Sequence, residues 1–217
     1  MTPKTLISNL SRPRRLSSRP VRLPPWSRVN RRALVAWILG VLTALCLLGF
    51  PPREDSTAHA FSIVARPAPE FTQTSPDAWL GSAPLTLASL RGKVVMLDFW
   101  TFGCWNCYRS FPWLNALEEK YRDSGFQVVG IHTPEFEHEK VRRNVEEKIR
   151  EFGLKHPSMM DNDFAFWKSM GNRYWPTFYL IDKRGYIRHV FIGETHQGDA
   201  RARDVEAALK RLLAEKG

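Results

Sequence analysis

Apolar stretches with the spacing of strands alternate with amphipathic stretches from about residue 85 to the end of the chain. Residues 94–100 begin with a continuous apolar run, which predicts a central strand covered by helices on both faces. Residues 126–131 predict a second strand of the same kind. Residues 178–182 and 186–192 predict a β-hairpin joined by a Lys-Arg-Gly turn.

Three further segments predict helices between and after these strands. Residues 137–152 predict a charged helix that ends at Gly153, and residues 164–170 predict a short helix that ends at Gly171. A final helix at 199–213 places four apolar side chains on one face: Val205, Ala208, Leu209 and Leu212. This alternation predicts an α/β domain with a central mixed β-sheet flanked by helices.

Residues 33–50 form an apolar run without a charged side chain. At about 1.5 Å per residue, such a helix crosses most of a bilayer core of about 30 Å. The run is apolar on all sides, which favours one N-terminal transmembrane helix over a helix of a soluble core. Arginines precede the run and acidic residues follow it, so we expect a cytoplasmic N-terminus and an extracytoplasmic C-terminal domain.

The fate of this membrane segment has two interpretations. Ala58-His59-Ala60 matches the small-x-small pattern of signal peptidase sites, and cleavage after Ala60 would release a periplasmic or secreted protein. The basic segment and the apolar run are both longer than in an ordinary signal peptide. We therefore expect a retained anchor and a single-pass protein of the inner, cytoplasmic membrane.

The charge of the chain is concentrated at its N-terminus. Residues 1–32 hold nine of the 32 basic side chains and no acidic one, so the remainder carries 23 basic and 22 acidic side chains. This nearly balanced charge argues against nucleic-acid binding. We expect a disordered basic head at 1–32, the transmembrane helix at 33–50, a linker at 51–69 and one folded domain at 70–217.

The candidate chemistry lies in the sequence Cys104-Trp105-Asn106-Cys107. The motif follows the predicted central strand and precedes a helical stretch, so we expect Cys104 at a helix N-terminus, where free amides and the helix dipole stabilise a thiolate. Cys107 lies one turn further on the same face. We predict that Cys104 attacks a disulfide and that Cys107 resolves the mixed disulfide. The third cysteine, Cys46, falls in the membrane run.

Two other interpretations of the cysteine pair are half of a zinc site and a structural disulfide. Zinc sites usually add a second close pair of Cys or His, and the histidines that follow in this sequence lack that spacing. A disulfide that closes so short a loop would constrain the unfolded chain little. The strand-to-helix position favours redox chemistry, and we expect no metal ligands.

Asp98 and Pro176 are further candidates. Asp98 lies within the predicted central strand, where burial would raise its pKa and allow it to accept the proton of Cys107. The alternative is a strand-end Asp bonded to nearby backbone. Pro176 directly precedes a predicted strand, where it is either a cis proline or an ordinary strand-start proline.

Several stretches together resemble the TlpA-like redoxins of the thioredoxin superfamily, and DipZ-type proteins in particular, over about residues 70–215. The stretches are Leu90-Arg91-Gly92-Lys93-Val94-Val95, Asp98-Phe99-Trp100-Thr101, His132-Thr133-Pro134-Glu135-Phe136 and Gly171-Asn172-Arg173-Tyr174-Trp175-Pro176. The resemblance implies a thioredoxin-like fold with a central insertion and a cis Pro176. It also implies a redox-active Cys104–Cys107 disulfide, without a further cofactor.

The resemblance also implies accessory residues and partners. The candidate accessory or substrate-binding residues are Trp105, Asn106, Glu135, Trp175 and Pro176. Glu135 lies where relatives carry an acidic residue near the site, although a Glu at a helix N-terminus is an equally good interpretation. Expected partners are protein thiols and disulfides and a membrane electron donor of the DsbD/CcdA type, because no counterpart of the multi-span domain of DipZ-type proteins is seen in the sequence.

The predicted function is thiol–disulfide exchange, with reduction of extracytoplasmic proteins as the expected direction and cytochrome c maturation as one client pathway. The Trp-Asn dipeptide between the cysteines differs from the Gly-Pro of general thioredoxins, so their potential is not carried over. A peroxiredoxin-like thiol peroxidase would share the Thr-x-x-Cys pattern at 101–104, but its proline would fall at Leu97. A Sco-like copper-handling module would space its cysteines one residue wider.

Overall fold

One mixed sheet forms the centre of the part of the chain that the structure describes. The computed structural model describes residues 62–216, with side chains from residue 65 onward. The strands are β1 (Ser62–Pro67), β2 (Trp79–Leu80), β3 (Val94–Trp100), β4 (Phe126–His132), β5 (Ser158–Met160), β6 (Thr177–Ile181) and β7 (Tyr186–Ile192). They lie in the order β1-β7-β6-β3-β4-β5-β2.

Four α-helices flank this sheet within residues 62–216, as the alternating pattern predicts. They are α1 (Trp105–Tyr121), α2 (Arg142–Phe152), α3 (Ala165–Met170) and α4 (Ala200–Ala214). Side chains of α1, α2 and α4 share one core, whereas those of α3 pack into a second core. The elements α2 and β5 lie between β4 and α3, and they form the insertion that the resemblance implies.

The strand β3 lies at the centre of the sheet and is buried over its whole length. It pairs in parallel with β4 and antiparallel with β6. Its side chains alternate between the two cores, with Met96 and Trp100 on the α1 side and Leu97 and Phe99 on the α3 side. The same alternation places the carboxyl group of Asp98 on the α1 side, within an otherwise apolar layer.

The structure confirms the predicted hairpin and the predicted final helix. The strands β6 and β7 pair antiparallel on either side of the predicted turn. The side chain of Asp199 caps α4 by accepting a hydrogen bond from the amide of Ala202 at 2.6 Å, and the predicted apolar face of α4 is buried. Gly153 and Gly171 end α2 and α3 with φ of 66° and 69°, a backbone conformation that favours glycine.

The single helix predicted at 137–152 is wrong in its first part. Glu137–Lys140 forms a separate 3-10 turn, and Val141 is extended (φ −80°, ψ 112°) before α2 begins. The carbonyl of Lys140 accepts a hydrogen bond from the side chain of Asn162 at 3.0 Å. Because a side chain satisfies this carbonyl and Val141 leaves the helical conformation, the turn and α2 are separate elements.

The structure also differs from the linker predicted at 51–69. Residues 62–67 form β1, an edge strand that pairs antiparallel with β7 and places Arg66 opposite Ile187. The guanidinium of Arg66 donates to the carbonyl of Met170 at 2.9 Å. Backbone pairing with a strand far along the chain creates this element, so the local pattern of apolar residues does not reveal it.

The basic head at 1–32 and the transmembrane helix at 33–50 lie outside the described residues. Within residues 62–216, no helix is long and apolar enough to cross a membrane. The membrane anchor therefore stays a prediction from the sequence.

Gly130 of β4 lies opposite Asp98, and its lack of a side chain is required by its neighbours. A Cβ there would collide with the Ser158 hydroxyl and lie 2.9 Å from Trp100 Nε1. We expect Gly130→Ala to lower the free energy of unfolding by about 1–3 kcal/mol, because the core is overpacked. Chemical denaturation of the full chain in a mild detergent, followed by Trp fluorescence, measures this change.

Ser158→Ala serves as the control for this prediction. The Ser158 hydroxyl has no hydrogen-bond partner among the described residues, so its removal alone should change stability little. In the Ser158→Ala background, Gly130→Ala should cost less, since one of the colliding atoms is gone. An equal cost in both backgrounds would contradict the packing explanation.

Candidate active site

Three segments meet at the carboxyl end of β3. Residues 101–107 continue directly from β3. Residues 133–140 follow β4, and the amide of Thr133 donates to the carbonyl of Trp100 at 3.0 Å. Residues 174–176 lead into β6, which runs antiparallel to β3 and therefore begins at the same end. The sheet thus brings the cysteine pair, the insertion and the proline segment together.

Cys104 caps the N-terminus of α1. Its backbone is extended (φ −80°, ψ 107°), and its sulfur accepts a hydrogen bond from the amide of Cys107 at 3.3 Å. The sulfur thus occupies the position of the side-chain oxygen that usually satisfies a free amide at a helix N-terminus. Cys104 is partly exposed, so a substrate sulfur atom can reach it.

The contacts of Cys104 lower the pKa of its thiol below the ordinary value. The largest effect comes from a hydrogen bond with the Cys107 side chain, and the amides of Cys107 and Asn106 add to it. Partial burial and the negative charge of Glu135 act in the opposite direction. Cys104 is therefore the more readily ionised thiol of the pair, and its thiolate is the nucleophile.

Cys107 lies behind Cys104 and is fully buried. Burial raises the pKa of its thiol well above the ordinary value, and its hydrogen bond to Cys104 and the charge of Asp98 raise it further. Both cysteines are free thiols, so the structure shows the reduced form of the pair. The exposed thiol can attack a substrate, and the buried thiol can attack only the sulfur of its neighbour.

Asp98 lies in β3 between Gly130 of β4 and Phe178 of β6. Its side chain is buried, and neither carboxyl oxygen has a hydrogen-bond partner among the described residues. A strand-end Asp bonded to local backbone is therefore not what the structure shows. Burial raises the pKa of Asp98 well above its usual range, and the charge of Cys104 adds to the effect. A raised carboxyl pKa lies closer to that of a thiol, which favours proton transfer between them.

The proline segment lies at the same end of the sheet as the cysteines. The peptide bond between Trp175 and Pro176 is cis. The carbonyl of Pro176 accepts a hydrogen bond from the amide of Gly193 at 2.9 Å, which joins this segment to the end of β7. Trp175 is half-buried and packs against Trp167, with ring centroids 4.3 Å apart and ring planes tilted by 37°.

The other predicted accessory residues differ in what they contact. Trp105 is 65% exposed and stacks on Tyr108, with ring centroids 5.2 Å apart. Asn106 contributes its backbone amide to Cys104, while its carbonyl accepts a hydrogen bond from Ser110. Glu135 is exposed in the loop after β4, and its charge acts on Cys104. Glu135 therefore belongs to the electrostatic surroundings of the nucleophile.

Exposed aromatic side chains lie on, or directly beside, the three segments that form the site. They are Trp105, Tyr108, Phe136 and Tyr174. A cavity of about 220 Å³ lies beside Cys104, and Phe102 and Phe152 are among the residues that line it. An apolar exposed surface next to a reactive thiol is typical of a site that binds another protein.

Sequence reasoning missed two residues of the site, Gly103 and Glu139. The buried carboxylate of Glu139 accepts a hydrogen bond from the amide of Gly103 at 2.6 Å. Residues 135–140 are mostly charged, which is the pattern of a solvated loop. Glu139 accepts a hydrogen bond from the amide of Phe136 three residues earlier, as the glutamate of a capping box does, but the phenylalanine at that position leaves the sequence without the capping-box pattern.

The structure bears on both rival chemistries. The contact that the Thr101 hydroxyl makes is with Nε2 of His132, 3.5 Å away at the end of β4. This placement gives no support to a peroxidase mechanism in which the Thr101 hydroxyl acts on the Cys104 sulfur. Within residues 62–216, no group of three or more His, Cys, Asp and Glu side chains is placed to hold a metal ion.

Comparisons with known proteins identify the family. A model of the Redoxin family matches residues 63–209. Protein DipZ of Mycobacterium tuberculosis is 45% identical over 152 residues, which cover 66% of this chain but 21% of DipZ. Thiol-disulfide oxidoreductase YkuV of Bacillus subtilis is 29% identical over 150 residues, which cover 69% of this chain and 96% of YkuV. The solution structure of a thioredoxin-like protein in the oxidized form has a TM-score of 0.59 and 29% identity, and the match covers 70% of this chain and 98% of that one.

The fold and the dithiol at the start of α1 define a thioredoxin-like oxidoreductase. The chain belongs to the Redoxin family. Its relatives confirm the resemblance to TlpA-like and DipZ-type redoxins and the assignment as a thiol–disulfide oxidoreductase. The chain spans about a fifth of the length of DipZ, so the activity of the whole of DipZ is not transferred to it.

The buried carboxyl group of Asp98 should make stability depend on pH. Because its folded-state pKa is raised, its stabilising contribution is full below the unfolded value of about 3.9 and is lost as pH rises through the folded value. We expect Asp98→Asn to remove this pH-dependent loss of stability. The gain in the free energy of unfolding should be about 1.4 kcal/mol for each unit by which the pKa of Asp98 is raised. Unfolding free energies of the two proteins between pH 4 and pH 9 measure the difference.

Asp123→Asn provides the control, since Asp123 is an exposed carboxyl group. The unfolding free energy of Asp123→Asn should follow the pH dependence of the unchanged protein.

If Asp98 also accepts the proton of Cys107, Asp98→Asn should slow the resolution of mixed disulfides by about 10²-fold, which stopped-flow kinetics can measure. A resolution rate equal to that of the unchanged protein would contradict the catalytic role.

Proposed function

We propose that the chain is a membrane-anchored oxidoreductase that reduces disulfides in extracytoplasmic proteins. The observation that carries the proposal is the contrast between the two thiols. Cys104 is partly exposed and has a lowered pKa, while Cys107 is buried and has a raised pKa. Such a pair attacks with the first sulfur and resolves with the second.

The reaction follows from these positions. The thiolate of Cys104 attacks one sulfur of a client disulfide, which forms a mixed disulfide and releases the other client sulfur as a thiolate. Cys107 gives its proton to the carboxylate of Asp98, and its sulfur attacks Cys104. The Cys104–Cys107 disulfide forms, and the second client sulfur leaves and takes up a proton. The client gains two electrons, and an external donor must return the enzyme to the dithiol.

The proposed direction of transfer is reduction of the client. Strong disulfide donors stabilise their reduced form. The charges of Glu135 and Asp98 oppose this effect by raising the pKa of Cys104 and Cys107, while hydrogen bonds lower the pKa of Cys104 on balance. The reduction potential of the pair therefore decides the direction.

The client is an extended segment of another protein that presents a disulfide. The exposed rings of Trp105, Phe136 and Tyr174 offer apolar contact on three sides of the site. Trp175 and Pro176 lie at the same end of the sheet and can contact the client backbone. Cytochrome c maturation is a client pathway that fits such an enzyme, and a membrane electron donor of the DsbD/CcdA type is the matching source of electrons.

Reduction potential and trapping test the proposed reaction. We expect the full chain, equilibrated with dithiothreitol or glutathione in a mild detergent, to show a two-electron transition on the reducing side, nearer to about −270 mV than to about −120 mV. We also expect Cys107→Ser to accumulate mixed disulfides with extracytoplasmic proteins, because resolution is blocked after the first attack. Trp fluorescence and non-reducing electrophoresis are the measurements.

Cys104→Ser is the matched control, since it keeps the other thiol but removes the nucleophile. It should trap no client. A potential near about −120 mV would contradict a reductant and indicate a disulfide donor. Equal trapping by both serine variants would contradict the assignment of Cys104 as the nucleophile.

The membrane anchor needs a separate test. We expect the full chain expressed in bacteria to sediment with membranes at its full length and to resist extraction by salt and high pH. A membrane-impermeant maleimide should label Cys104 in cells whose outer membrane has been permeabilised. A shortened, freely released protein would indicate cleavage after Ala60, and labelling only after lysis would contradict an extracytoplasmic domain.

A further inference from the structure

A buried glutamate in the insertion joins two segments of the site. Glu139 has no exposed surface. One of its carboxylate oxygens accepts a hydrogen bond from the amide of Gly103 at 2.6 Å. The other accepts hydrogen bonds from the amides of Glu135 at 2.5 Å and Phe136 at 2.9 Å. The carboxylate thus links the loop after β4 to the residue that directly precedes the nucleophile.

The donors explain why a charged side chain is stable in this buried position. An ionised carboxylate removed from water costs several kcal/mol unless hydrogen bonds replace the lost hydration. Burial alone would raise the pKa of Glu139, but the hydrogen bonds from the amides of Phe136, Glu135 and Gly103 outweigh it and hold the pKa below its usual range. Glu139 is therefore charged, and its hydrogen bonds are of the strong, charge-assisted kind.

The identity of residue 103 supports the same contact independently. A Cβ at Gly103 would lie 2.5 Å from the Glu139 oxygen and 3.5 Å from the ring of Phe136. The φ angle of Gly103 is not in the positive range that requires glycine. Glycine is therefore needed at this position for space, because any side chain would push the carboxylate away from the amide.

We propose that Glu139 is a positioning residue that fastens the insertion to the Gly103 amide and thereby fixes the first turn of α1 on which the Cys104 sulfur is held. The inference rests on the proposed function of Cys104 as the nucleophile. The amide of Cys104 bonds to the carbonyl of Thr101 at 3.3 Å, and its sulfur bonds to the amide of Cys107 at the same distance. A shift of residues 101–103 would move the sulfur away from the amide that stabilises its thiolate.

The substitution Glu139→Gln tests this proposal with little change in shape. An amide has one acceptor oxygen, so its nitrogen would face either the Gly103 amide or the amides of Glu135 and Phe136. We expect the pKa of Cys104 to rise and its alkylation by iodoacetamide at pH 7 to slow by about three- to tenfold. Peptide mass spectrometry of the reduced full chain in detergent follows Cys104 separately from the other cysteines across a pH series.

Two neighbouring glutamates supply matched controls. Glu135→Gln removes a charge that raises the pKa of Cys104, so it should shift the midpoint of alkylation to lower pH, opposite to Glu139→Gln. Glu137 is 88% exposed and pairs with Lys140 at 2.5 Å on the surface, so Glu137→Gln should leave the midpoint unchanged. The three variants carry the same chemical change within five residues of chain.

Gly103→Ala breaks the proposed contact from its other side. We expect it to raise the midpoint of alkylation as Glu139→Gln does. If both changes act through one contact, the double variant should be slowed about as much as either single variant. If the slowing of alkylation in the double variant is instead the product of the two single effects, the two changes act independently, which would overturn the proposal.

The remaining outcomes are also decisive. A lower melting temperature for Glu139→Gln with an unchanged midpoint would assign the residue a structural role alone, and a shift to lower pH would assign it the role of a charge like Glu135. If Glu139→Gln does not fold, Gly103→Ala decides, and an unchanged midpoint in that folded variant overturns the proposal. Alkylation requires no client, so failure to reduce disulfides would contradict the proposed function without affecting this result.

Discussion

The placement of β3 between a parallel and an antiparallel neighbour is the constraint on which the site depends. Pairing with β4 and β6 holds β3 along most of its length, so the chain leaves the sheet at one defined point, directly before the cysteine pair. The same two neighbours deliver the insertion and the cis proline to that end. A register slip of one residue would turn Asp98 into the opposite core and separate it from Cys107.

The two buried acidic groups of the site, Asp98 and Glu139, differ in how far hydrogen bonds compensate for their burial. Asp98 lies in an apolar layer without a hydrogen-bond partner among the described residues, and its raised pKa reflects that cost. Glu139 is as deeply buried, yet backbone amides satisfy it, and its pKa is lowered. The first arrangement suits a group that must exchange a proton, and the second suits a group that must stay charged and fixed. Burial alone therefore does not determine the role of a carboxylate here.

Elements with strong local signals were predictable from the sequence. The apolar run of β3, the Asp199 cap of α4 and the position of the cysteine pair between a strand and a helix each carry their own pattern. The strand β1 and the break at Val141 were not predictable, because both arise from partners that lie far along the chain or from side chains that replace helical hydrogen bonds. Glu139 was hidden for a related reason, because the Gly103 amide that links it to the site lies 36 residues away along the chain, although its other two amide donors are close in sequence.

The cap formed by Cys104 on α1 has a consequence for the newly made chain. Its sulfur owes its low pKa to a hydrogen bond from Cys107 and to amides that face it only when the helix has formed. Before folding, the two cysteines are ordinary thiols in a flexible polypeptide, each mostly protonated at neutral pH. Reactivity thus appears together with the folded sheet, so an immature molecule is a poor nucleophile and is protected from exchanging disulfides with the proteins around it.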